Sequence, residues 1–218
     1  MKSLYDLNKR TLDIFGATIG LVLFFPVMAC VAFAIKLDSK GPIFFLQERI
    51  GKNGRVFRIL KFRSMVVNAE QMGGGIFNTK NDTRVTKVGN FIRNTSLDEL
   101  PQFFNILIGD MSLVGPRPPV TYELGDYENW SEDLKLSFSV RPGVTGLAQV
   151  SGRNELSWDE KTKLNLMYLK RRGFFYDLYL ILLTLVKVFK NEGSHELESN
   201  IAKDKKRLES NQNGSIKK

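Results

Sequence analysis

The chain has 218 residues, of which 43% are apolar and 25% are charged. This composition is typical of a globular protein and excludes wholesale disorder. The single cysteine, Cys30, excludes an intramolecular disulfide framework, and the single histidine, His195, excludes metal sites that need two or more histidines. The formal net charge of +9 favours an anionic partner: nucleic acid, phospholipid or a phosphorylated substrate.

The N-terminal segment has the length and composition of a membrane segment. No charged residue occurs in the 22 positions of residues 14–35, and a helix of that length is about 33 Å long, enough to cross a bilayer core. Basic residues flank both ends, so the positive-inside rule gives no orientation. Pro26 lies mid-segment and would kink a helix. The residues therefore leave three interpretations open. The segment could span the membrane once, it could enter the membrane and return to the same side, or it could be a buried core helix.

The remaining elements are predicted from periodicity and turn signals. Two short apolar runs on either side of Gly-Lys-Asn-Gly predict a β-hairpin in residues 41–62. Residues 73–82 are predicted to form a loop, and the prolines in residues 116–119 require extended backbone. Helices are predicted over residues 64–72, 85–94, 97–108, 121–137, 155–171 and 174–190.

The last of these helices differs in character from the others. Residues 174–190 are apolar and rich in Phe and Tyr, yet they include Asp177 and Lys187. This pattern favours a helix that lies in the membrane interface, with a core helix as the alternative. Residues 191–218 are polar and charged, and we expect them to form a mobile tail.

Two adjacent carboxylates, Asp98 and Glu99, stand at the start of the helix predicted over residues 97–108. The positive end of a helix dipole would favour their ionised forms, and an ionised aspartate can act as a nucleophile or a metal ligand. An ordinary structural explanation competes, because Ser96 and Glu99 have the spacing of a capping box. The residues alone leave both explanations open.

Three basic stretches are candidates for phosphate binding. Prolines enclose Arg117, and a guanidinium held in place is well suited to phosphate, although a rigid linker with a solvated arginine is the alternative. Residues 141–153 combine glycines with Arg141 and Arg153, which suits a phosphate or sugar cradle. Lys61 and Arg63 would share one face of a strand. Each stretch could equally be ordinary basic surface.

Taken together and in this order, the motifs resemble the bacterial sugar transferase family of monotopic phosphoglycosyl transferases, and the size of the chain is similar to that of its small members. The resemblance covers roughly residues 8–190. It is carried by RTLDI at residues 10–14, KFRSM at 61–65, TSLDELPQ at 95–102, GDMSLVGPRP at 109–118 and RPGVTGLAQ at 141–149.

The resemblance implies a two-step reaction. Asp98 would be the nucleophile that attacks the β-phosphate of a UDP-sugar and expels UMP. Undecaprenyl phosphate would then accept the phospho-sugar from the aspartyl intermediate. Glu99, together with Asp98, would support a Mg²⁺ ion at the diphosphate.

The resemblance also implies which residues bind the donor. Arg93 and the turn formed by Pro116, Arg117 and Pro118 would hold the nucleotide and diphosphate. Further phosphate contacts would come from the basic side chains of Lys61, Arg63 and Arg141. The residues do not indicate which sugar is transferred.

The implied fold is mostly α-helical with a small β-hairpin. Residues 1–40 would be a re-entrant membrane helix, residues 41–190 a cytoplasmic catalytic domain with interfacial amphipathic helices, and residues 191–218 a disordered tail. The protein would lie on the cytoplasmic face of the bacterial inner membrane, with membrane lipid as a partner. One departure concerns the break in the membrane helix, where the family usually has Ser-Pro and this chain has Phe25-Pro26.

Two other functions compete with this interpretation. A membrane-anchored protein without catalysis could use the basic surface to bind anionic ligands. An ordinary glycosyltransferase would release UDP, but it commonly carries an Asp-x-Asp motif that this sequence lacks. No nucleic-acid partner is expected, because the adjacent carboxylates would repel phosphates and no nucleic-acid-binding signature occurs. A homodimer is compatible with the sequence.

Overall fold

The computed structural model describes residues 2–72, 82–152 and 156–190. Within them the chain is mostly helical and carries two small two-stranded sheets. The helices are α1 (Lys2–Asp38), α2 (Lys87–Asn94), α3 (Gln102–Ile108), α4 (Glu132–Ser137), α5 (Leu147–Ser151), α6 (Trp158–Arg171) and α7 (Phe174–Lys190). The strands are β1 (Phe44–Ile50), β2 (Val56–Phe62), β3 (Ser112–Val114) and β4 (Gly143–Thr145). The predicted tail and nearly all of the predicted loop over residues 73–82 lie outside the described residues.

The apolar N-terminal run forms α1, which continues through Pro26 as one helix. Over Tyr5–Asp38 it is long and apolar enough to cross a membrane, and no other helix in the described part of the chain is. The expected break at Pro26 therefore does not end the helix. Large apolar side chains remain exposed along it, including Phe15, Val22, Leu23, Phe25, Phe33 and Leu37.

Polar side chains fasten both ends of α1 to the rest of the chain. Near its start, Arg10 donates to the carbonyl of Ile106 at 2.6 Å, and Asp13 accepts from the amide of Leu113 at 2.9 Å. At its end, Asp38 accepts from the amide of Val88 at 3.0 Å. The parts of the helix before and after Pro26 are therefore held to the same body.

The hairpin predicted in residues 41–62 is confirmed. β1 and β2 pair antiparallel, with Phe44 opposite Phe62 and Ile50 opposite Val56. The turn needs left-handed backbone, with φ of 53° at Asn53 and 80° at Gly54, which these two residue types adopt at little cost. β2 carries Lys61 towards the site described below.

β3 and β4 form a parallel pair that the sequence did not reveal. Ser112 pairs with Gly143, and Val114 pairs with Thr145. A side chain on Gly143 would place its Cβ 2.1 Å from the amide nitrogen of Gly115. Glycine is therefore required here, because two backbones touch where β3 ends and β4 begins.

Three predicted helices are shorter than expected. In residues 64–72 only a 3₁₀ turn, Ala69–Gln71, forms, because Asn68 is left-handed with φ of 62°. In residues 121–137 helix α4 begins only after the cap residue Ser131, because Gly125 has φ of 71° and ends the preceding turn. The helix over residues 97–108 is interrupted at Pro101. The predictions over 85–94, 155–171 and 174–190 correspond to α2, α6 and α7.

α1, α6 and α7 meet at the buried carboxylate of Asp177. Lys9 donates to its Oδ2 at 2.7 Å and Tyr5 donates to the same oxygen at 2.9 Å, while Tyr168 donates to Oδ1 at 2.9 Å. Burial and the neighbouring carboxylate raise the pKa of Tyr168, so it remains a donor. The Tyr168 hydroxyl oxygen also lies 3.2 Å from the carbonyl oxygen of Val114, which places this cluster next to β3.

Candidate active site

The two adjacent carboxylates lie on a single 3₁₀ turn, Leu97–Glu99, between α2 and α3. Ser96 is left-handed with φ of 56°, and its side chain does not cap the turn. The capping box, one of the two explanations left open by the sequence, is therefore wrong. Glu99 turns instead towards cations from elsewhere in the fold.

Glu99 binds two basic side chains through one oxygen. Its Oε1 accepts from Lys61 Nζ at 2.8 Å and from Arg117 at 3.3 Å. Lys61 comes from β2 and Arg117 from the loop after β3, so three separate parts of the chain converge here. The side chains of Lys61 and Glu99 are each 14% exposed, so solvent screens this pair less than an ordinary surface pair.

Asp98 lies beside this pair without a partner of its own. It makes no hydrogen bond or ion pair with the residues that the structure describes. Burial raises the pKa of Asp98 to about 6, and Glu99 adds to the rise, while Lys61, Arg93 and Arg117 oppose it. A helix dipole was expected to hold the carboxylate ionised. One 3₁₀ turn supplies too little dipole, and burial outweighs it.

Arg93, in the last turn of α2, faces the same carboxylate. Burial lowers the pKa of Arg93, and the nearby Asp98 and Asp82 oppose this shift. In the described part of the chain its guanidinium makes no hydrogen bond or ion pair. Asp82 is engaged by Arg84, with Nη2 and Oδ2 2.6 Å apart. Arg93 therefore keeps donors for an anionic ligand next to Asp98.

The extended loop predicted around residues 116–119 is held on both sides. Gly143 donates to the carbonyl of Pro116 at 2.9 Å, and Arg49 donates to the carbonyl of Pro118 at 2.9 Å. Pro116 and Pro118 are buried, whereas the Arg117 side chain is 37% exposed. The two prolines thus keep the backbone on either side of Arg117 rigid, and the Arg117 guanidinium points towards Glu99.

Two predicted phosphate contacts are used elsewhere in the fold. Arg63 is 5% exposed and donates to the carbonyls of Ser39 and Lys40, just beyond the end of α1. Arg141 donates through Nε to the carbonyl of Gly109 at 2.8 Å. Both side chains therefore engage backbone carbonyls, and a phosphate contact by Arg63 or Arg141 stays a prediction. The glycines at 143 and 146 lie against the backbone of Gly115, whereas Arg153 lies outside the described residues.

Two residues that support the site were missed. Asn105 on α3 accepts from the amide of Leu60 at 2.9 Å and donates to the carbonyl of Arg58 at 2.7 Å, which fixes β2 next to Lys61. Arg49 on β1 fixes the proline loop. A polar residue within the apolar run of α3 was the available signal for Asn105. Nothing in the sequence distinguished Arg49 from other surface arginines.

The chemistry of the carboxylate pair fits a magnesium ion that also binds a substrate. The described residues contain no group of three or more metal-ligating side chains. Mg²⁺, however, typically takes one or two protein carboxylates and fills its remaining positions with phosphate oxygens and water. Asp98 and Glu99 provide carboxylate oxygens of this kind on one turn.

Comparisons with known proteins give a consistent result. The family model described as bacterial sugar transferase matches residues 4–191. The chain is 47% identical over 197 residues to a galactosyl transferase, CpsE, of Streptococcus agalactiae serotype III (strain NEM316), covering 85% of this chain and 43% of that protein.

Two further relatives are named for reactions with undecaprenyl phosphate. A UDP-glucose:undecaprenyl-phosphate glucose-1-phosphate transferase of Escherichia coli (strain K12) is 44% identical, covering 87% of this chain and 42% of that protein. A UDP-N-acetylgalactosamine-undecaprenyl-phosphate N-acetylgalactosaminephosphotransferase of Aeromonas hydrophila is 41% identical, covering 88% and 46%. The chain thus spans less than half the length of these relatives.

Proposed function

Since the chain belongs to the bacterial sugar transferase family, we propose that it transfers a sugar 1-phosphate from a UDP-sugar to undecaprenyl phosphate and releases UMP. One observation carries the proposal. Asp98 is a half-buried carboxylate without a partner among the described residues, and it lies beside a glutamate that holds two cations. This arrangement suits a nucleophile that must meet a diphosphate. The names of relatives that use UDP-glucose and UDP-N-acetylgalactosamine support the same reaction class.

In the first step a carboxylate oxygen of Asp98 attacks the β-phosphorus of the donor. A new bond forms between that oxygen and phosphorus, and the bond from the β-phosphorus to the bridging oxygen breaks. UMP leaves with the electron pair of the broken bond, and Asp98 carries the phospho-sugar. At pH 7 a carboxyl with a pKa of about 6 is mostly ionised, so no separate base is needed to activate it.

In the second step the phosphate of the lipid acceptor attacks the same phosphorus. The bond to Asp98 breaks, the carboxylate is regenerated, and the product is undecaprenyl diphosphate sugar. Direct transfer of the phospho-sugar from the donor to the lipid phosphate would require two anions to react with each other. The two displacements replace this difficult step with two easier ones.

The cations around the carboxylate pair have distinct roles in these steps. Arg93, which has no partner in the described part of the chain, supplies donors to the incoming diphosphate. Lys61 and Arg117 are oriented by Glu99 and neutralise charge that develops on the phosphoryl oxygens. Pro116 and Pro118 hold Arg117 in place, and Arg63 and Arg141 hydrogen-bond backbone carbonyls.

Asp98 and Glu99 would hold Mg²⁺ together with the diphosphate of the donor. When bound, such an ion neutralises phosphate charge and makes UMP a better leaving group. We expect Glu99→Gln to lower turnover about 10²-fold and to raise the Mg²⁺ concentration needed for half-maximal rate. Glu128→Gln, on an exposed turn, is the matched control. An unchanged rate and Mg²⁺ dependence would reject this role for Glu99.

Three features support a monotopic arrangement on the cytoplasmic face of the inner membrane. Both ends of α1 contact the same body through Arg10 and Asp38, which favours both ends lying on one side of the bilayer. The outer surface of α1 is apolar and exposed. α7 adds exposed apolar side chains at Phe175, Leu182 and Leu185, and these would rest at the level of the headgroups. A re-entrant α1 would place the active site beside the phosphate of a membrane-bound acceptor.

Cysteine labelling tests this topology. In a Cys30→Ser background, single cysteines are introduced as Ser3→Cys and Lys40→Cys, one near each end of α1. A membrane-impermeant maleimide should label both from the same side of sealed inverted vesicles. Labelling from opposite sides would mean that α1 spans the bilayer.

An assay of the released nucleotide tests the reaction itself. Purified protein is incubated with Mg²⁺, undecaprenyl phosphate and, separately, UDP-glucose, UDP-galactose and UDP-N-acetylgalactosamine. We expect lipid-dependent release of UMP with one of these donors. Release of UDP would indicate an ordinary glycosyltransferase, and donor binding without release of either nucleotide would indicate a non-catalytic binding protein.

A further inference from the structure

Asp13 is a buried carboxylate in the apolar helix α1, and it lies outside the cluster of reacting groups. The residue is 3% exposed. Its Oδ1 accepts hydrogen bonds from the Leu113 amide at 2.9 Å and from Ser112 Oγ at 3.0 Å. Both donors belong to β3, 100 and 99 positions further along the chain. One oxygen of Asp13 thus binds the first two residues of β3 to α1.

Packing around Asp13 fixes β3 at one place along the helix. Gly16 and Ala17 lie one turn beyond Asp13, on the same face of α1. A Cβ on Gly16 would lie 2.7 Å from Leu113 Cδ1, so the Leu113 side chain rests directly against the helix. Ala17 is fully buried in a core cluster against which Leu113 also packs. The backbone and the side chain of β3 therefore both contact this face.

The chain between β3 and Arg117 has little freedom to absorb a shift of the strand. Only Gly115 and Pro116 separate them, and both are buried. The Gly115 amide donates to β4 at 2.8 Å, and the Pro116 carbonyl accepts from β4 at 2.9 Å. A displacement of β3 would therefore reach Arg117, whose guanidinium lies 3.3 Å from Glu99 Oε1.

Attachment of α1 to the body does not require the Asp13 carboxylate. Lys9 binds Asp177 at 2.7 Å, and Arg10 donates to the carbonyls of Ile106 and Leu107 at 2.6 and 2.9 Å. A buried carboxylate costs free energy that an apolar side chain does not. It supplies two directional bonds to one strand, however, and such bonds restrict the position of the strand more narrowly than apolar contacts do.

We propose that Asp13 is a positioning residue for the transfer reaction. It fixes β3 against α1, and β3 sets the place of Arg117 beside the acid pair. The membrane helix is then part of the active-site framework as well as an anchor. This inference rests on the proposed function, because it takes from it the role of Arg117 at the phosphoryl oxygens.

A double-mutant cycle tests whether Asp13 acts through Arg117. Asp13→Ala removes the acceptor oxygen, whereas Asp13→Asn keeps an oxygen that can accept both bonds. Ser112→Ala is a milder variant that removes only one of the two bonds. Each is made alone, and Asp13→Ala and Ser112→Ala are also combined with Arg117→Met. Thr18→Ala, exposed on α1, is the matched control.

The first measurement is kcat for UMP release per folded molecule, in full-length protein in detergent. We expect kcat to fall about 10-fold in Asp13→Ala and about 3-fold in Ser112→Ala, because a displaced Arg117 neutralises less charge in the transition state. Asp13→Asn should stay within about 2-fold of the wild type, since its oxygen restores both bonds. Thr18→Ala should leave kcat unchanged.

The Arg117→Met background distinguishes positioning from a general loss of stability. Once the guanidinium is absent, Asp13→Ala and Ser112→Ala should change kcat less than about 2-fold further. A general loss of stability would lower kcat equally in both backgrounds. Equal losses in both backgrounds, or an unchanged kcat in the single variants, would overturn the proposal.

Hydrogen exchange measures the same coupling without turnover. In Asp13→Ala the amides of Gly115 and Arg117, which lie beyond the two lost bonds, should exchange at least about 10-fold faster. Asp13→Asn should show no such change. Unchanged protection of these two amides in Asp13→Ala would overturn the proposal. A wild-type protein that never releases UMP would overturn the proposed reaction, and hydrogen exchange would still decide whether Asp13 fixes the segment that carries Arg117.

Discussion

Two aspartates in this fold, the buried Asp177 and the half-buried Asp98, have opposite surroundings. Asp177 receives hydrogen bonds from Lys9, Tyr5 and Tyr168 at 2.7–2.9 Å. Asp98 receives none from the described residues, and burial raises its pKa to about 6. Asp177 therefore has hydrogen-bond donors on both carboxylate oxygens, whereas Asp98 has no donor among the described residues.

This difference in hydrogen bonding indicates a structural role for Asp177 and a chemical role for Asp98. A buried charge that is fully paired holds elements together, and here it joins α1, α6 and α7. A buried charge without donors destabilises the folded state unless a ligand completes it. Asp98 lies among Lys61, Arg93 and Arg117, and the positive charge of these side chains attracts an anionic ligand. A cation bound together with that anion would complete the carboxylate. The lack of a hydrogen-bond donor to Asp98 is therefore a clearer sign of function than the presence of a carboxylate.

The largest expected effect is the loss of turnover in Asp98→Asn. The amide is isosteric with the carboxyl group but cannot form the acyl phosphate, so we expect the rate of lipid-dependent UMP release to fall at least about 10³-fold. Membrane attachment should be retained, as measured by flotation with vesicles. Asp133→Asn, exposed on α4, is the matched control. Full activity in purified Asp98→Asn would remove Asp98 as the nucleophile.

Asp177→Ala should act on stability. It leaves the Lys9 ammonium without its counter-ion and removes the acceptor of two tyrosine hydroxyls, which costs about 3 kcal/mol of unfolding free energy. The measurement is thermal unfolding in detergent. We expect turnover per folded molecule to change less than 10-fold. An unchanged melting temperature would mean that the Asp177 cluster does not fasten α1 to the body.

Asp98→Asn should also stabilise the fold, by about 2 kcal/mol at pH 7.5 without Mg²⁺. The pKa of Asp98 rises from 3.8 unfolded to about 6 folded. Below the unfolded value both states are protonated and the carboxyl group costs nothing. As the pH rises from the unfolded-state pKa to the folded-state pKa, ionisation of Asp98 lowers the free energy of unfolding. This loss of stability is complete above the folded-state pKa.

The stability difference between the variant and the wild type should therefore shrink as the pH falls from 7 to 4. Chemical denaturation in EDTA at several pH values measures it. A variant that is less stable than the wild type at pH 7.5 would mean that the surrounding cations compensate the carboxylate fully.

The smallest expected effect comes from an exposed ion pair. Glu48 and Arg58 face each other across the hairpin at 3.6 Å, with side chains 56% and 70% exposed. Solvent screens such pairs, so Glu48→Gln should change the unfolding free energy by less than about 0.5 kcal/mol. A larger loss of unfolding free energy would show that an exposed ion pair stabilises this fold as a buried one does at Asp177.

Local signals in the sequence were enough for some of these features. The hairpin follows from the Gly-Lys-Asn-Gly turn between two apolar runs, and α1 follows from the uncharged run of residues 14–35. The resemblance of the motif at residues 95–102 assigned a role to Asp98 and Glu99, because adjacent acids also occur at 132–133 and 159–160. Each of these signals lies within a few residues.

Contacts between distant residues could not be read in this way. Glu99 meets Lys61 across 38 positions, and Asp177 meets Tyr5 across 172. β3 and β4 have three residues each, too few for a periodic pattern, and they pair only because Gly115 and Gly143 allow two backbones to touch. For the same reason Arg63, which matched the pattern of a phosphate ligand, proved to bind carbonyls next to the end of α1.

The most direct test of the account is the mass of the protein after reaction with donor alone. The protein is incubated with Mg²⁺ and its UDP-sugar in the absence of lipid, quenched in acid and examined by intact-protein mass spectrometry. We predict a gain equal to one sugar phosphate, matched by about one equivalent of UMP, and no gain in Asp98→Asn. A wild-type protein that shows no adduct under these conditions, yet releases UMP rapidly once undecaprenyl phosphate is added, would contradict a covalent role for Asp98.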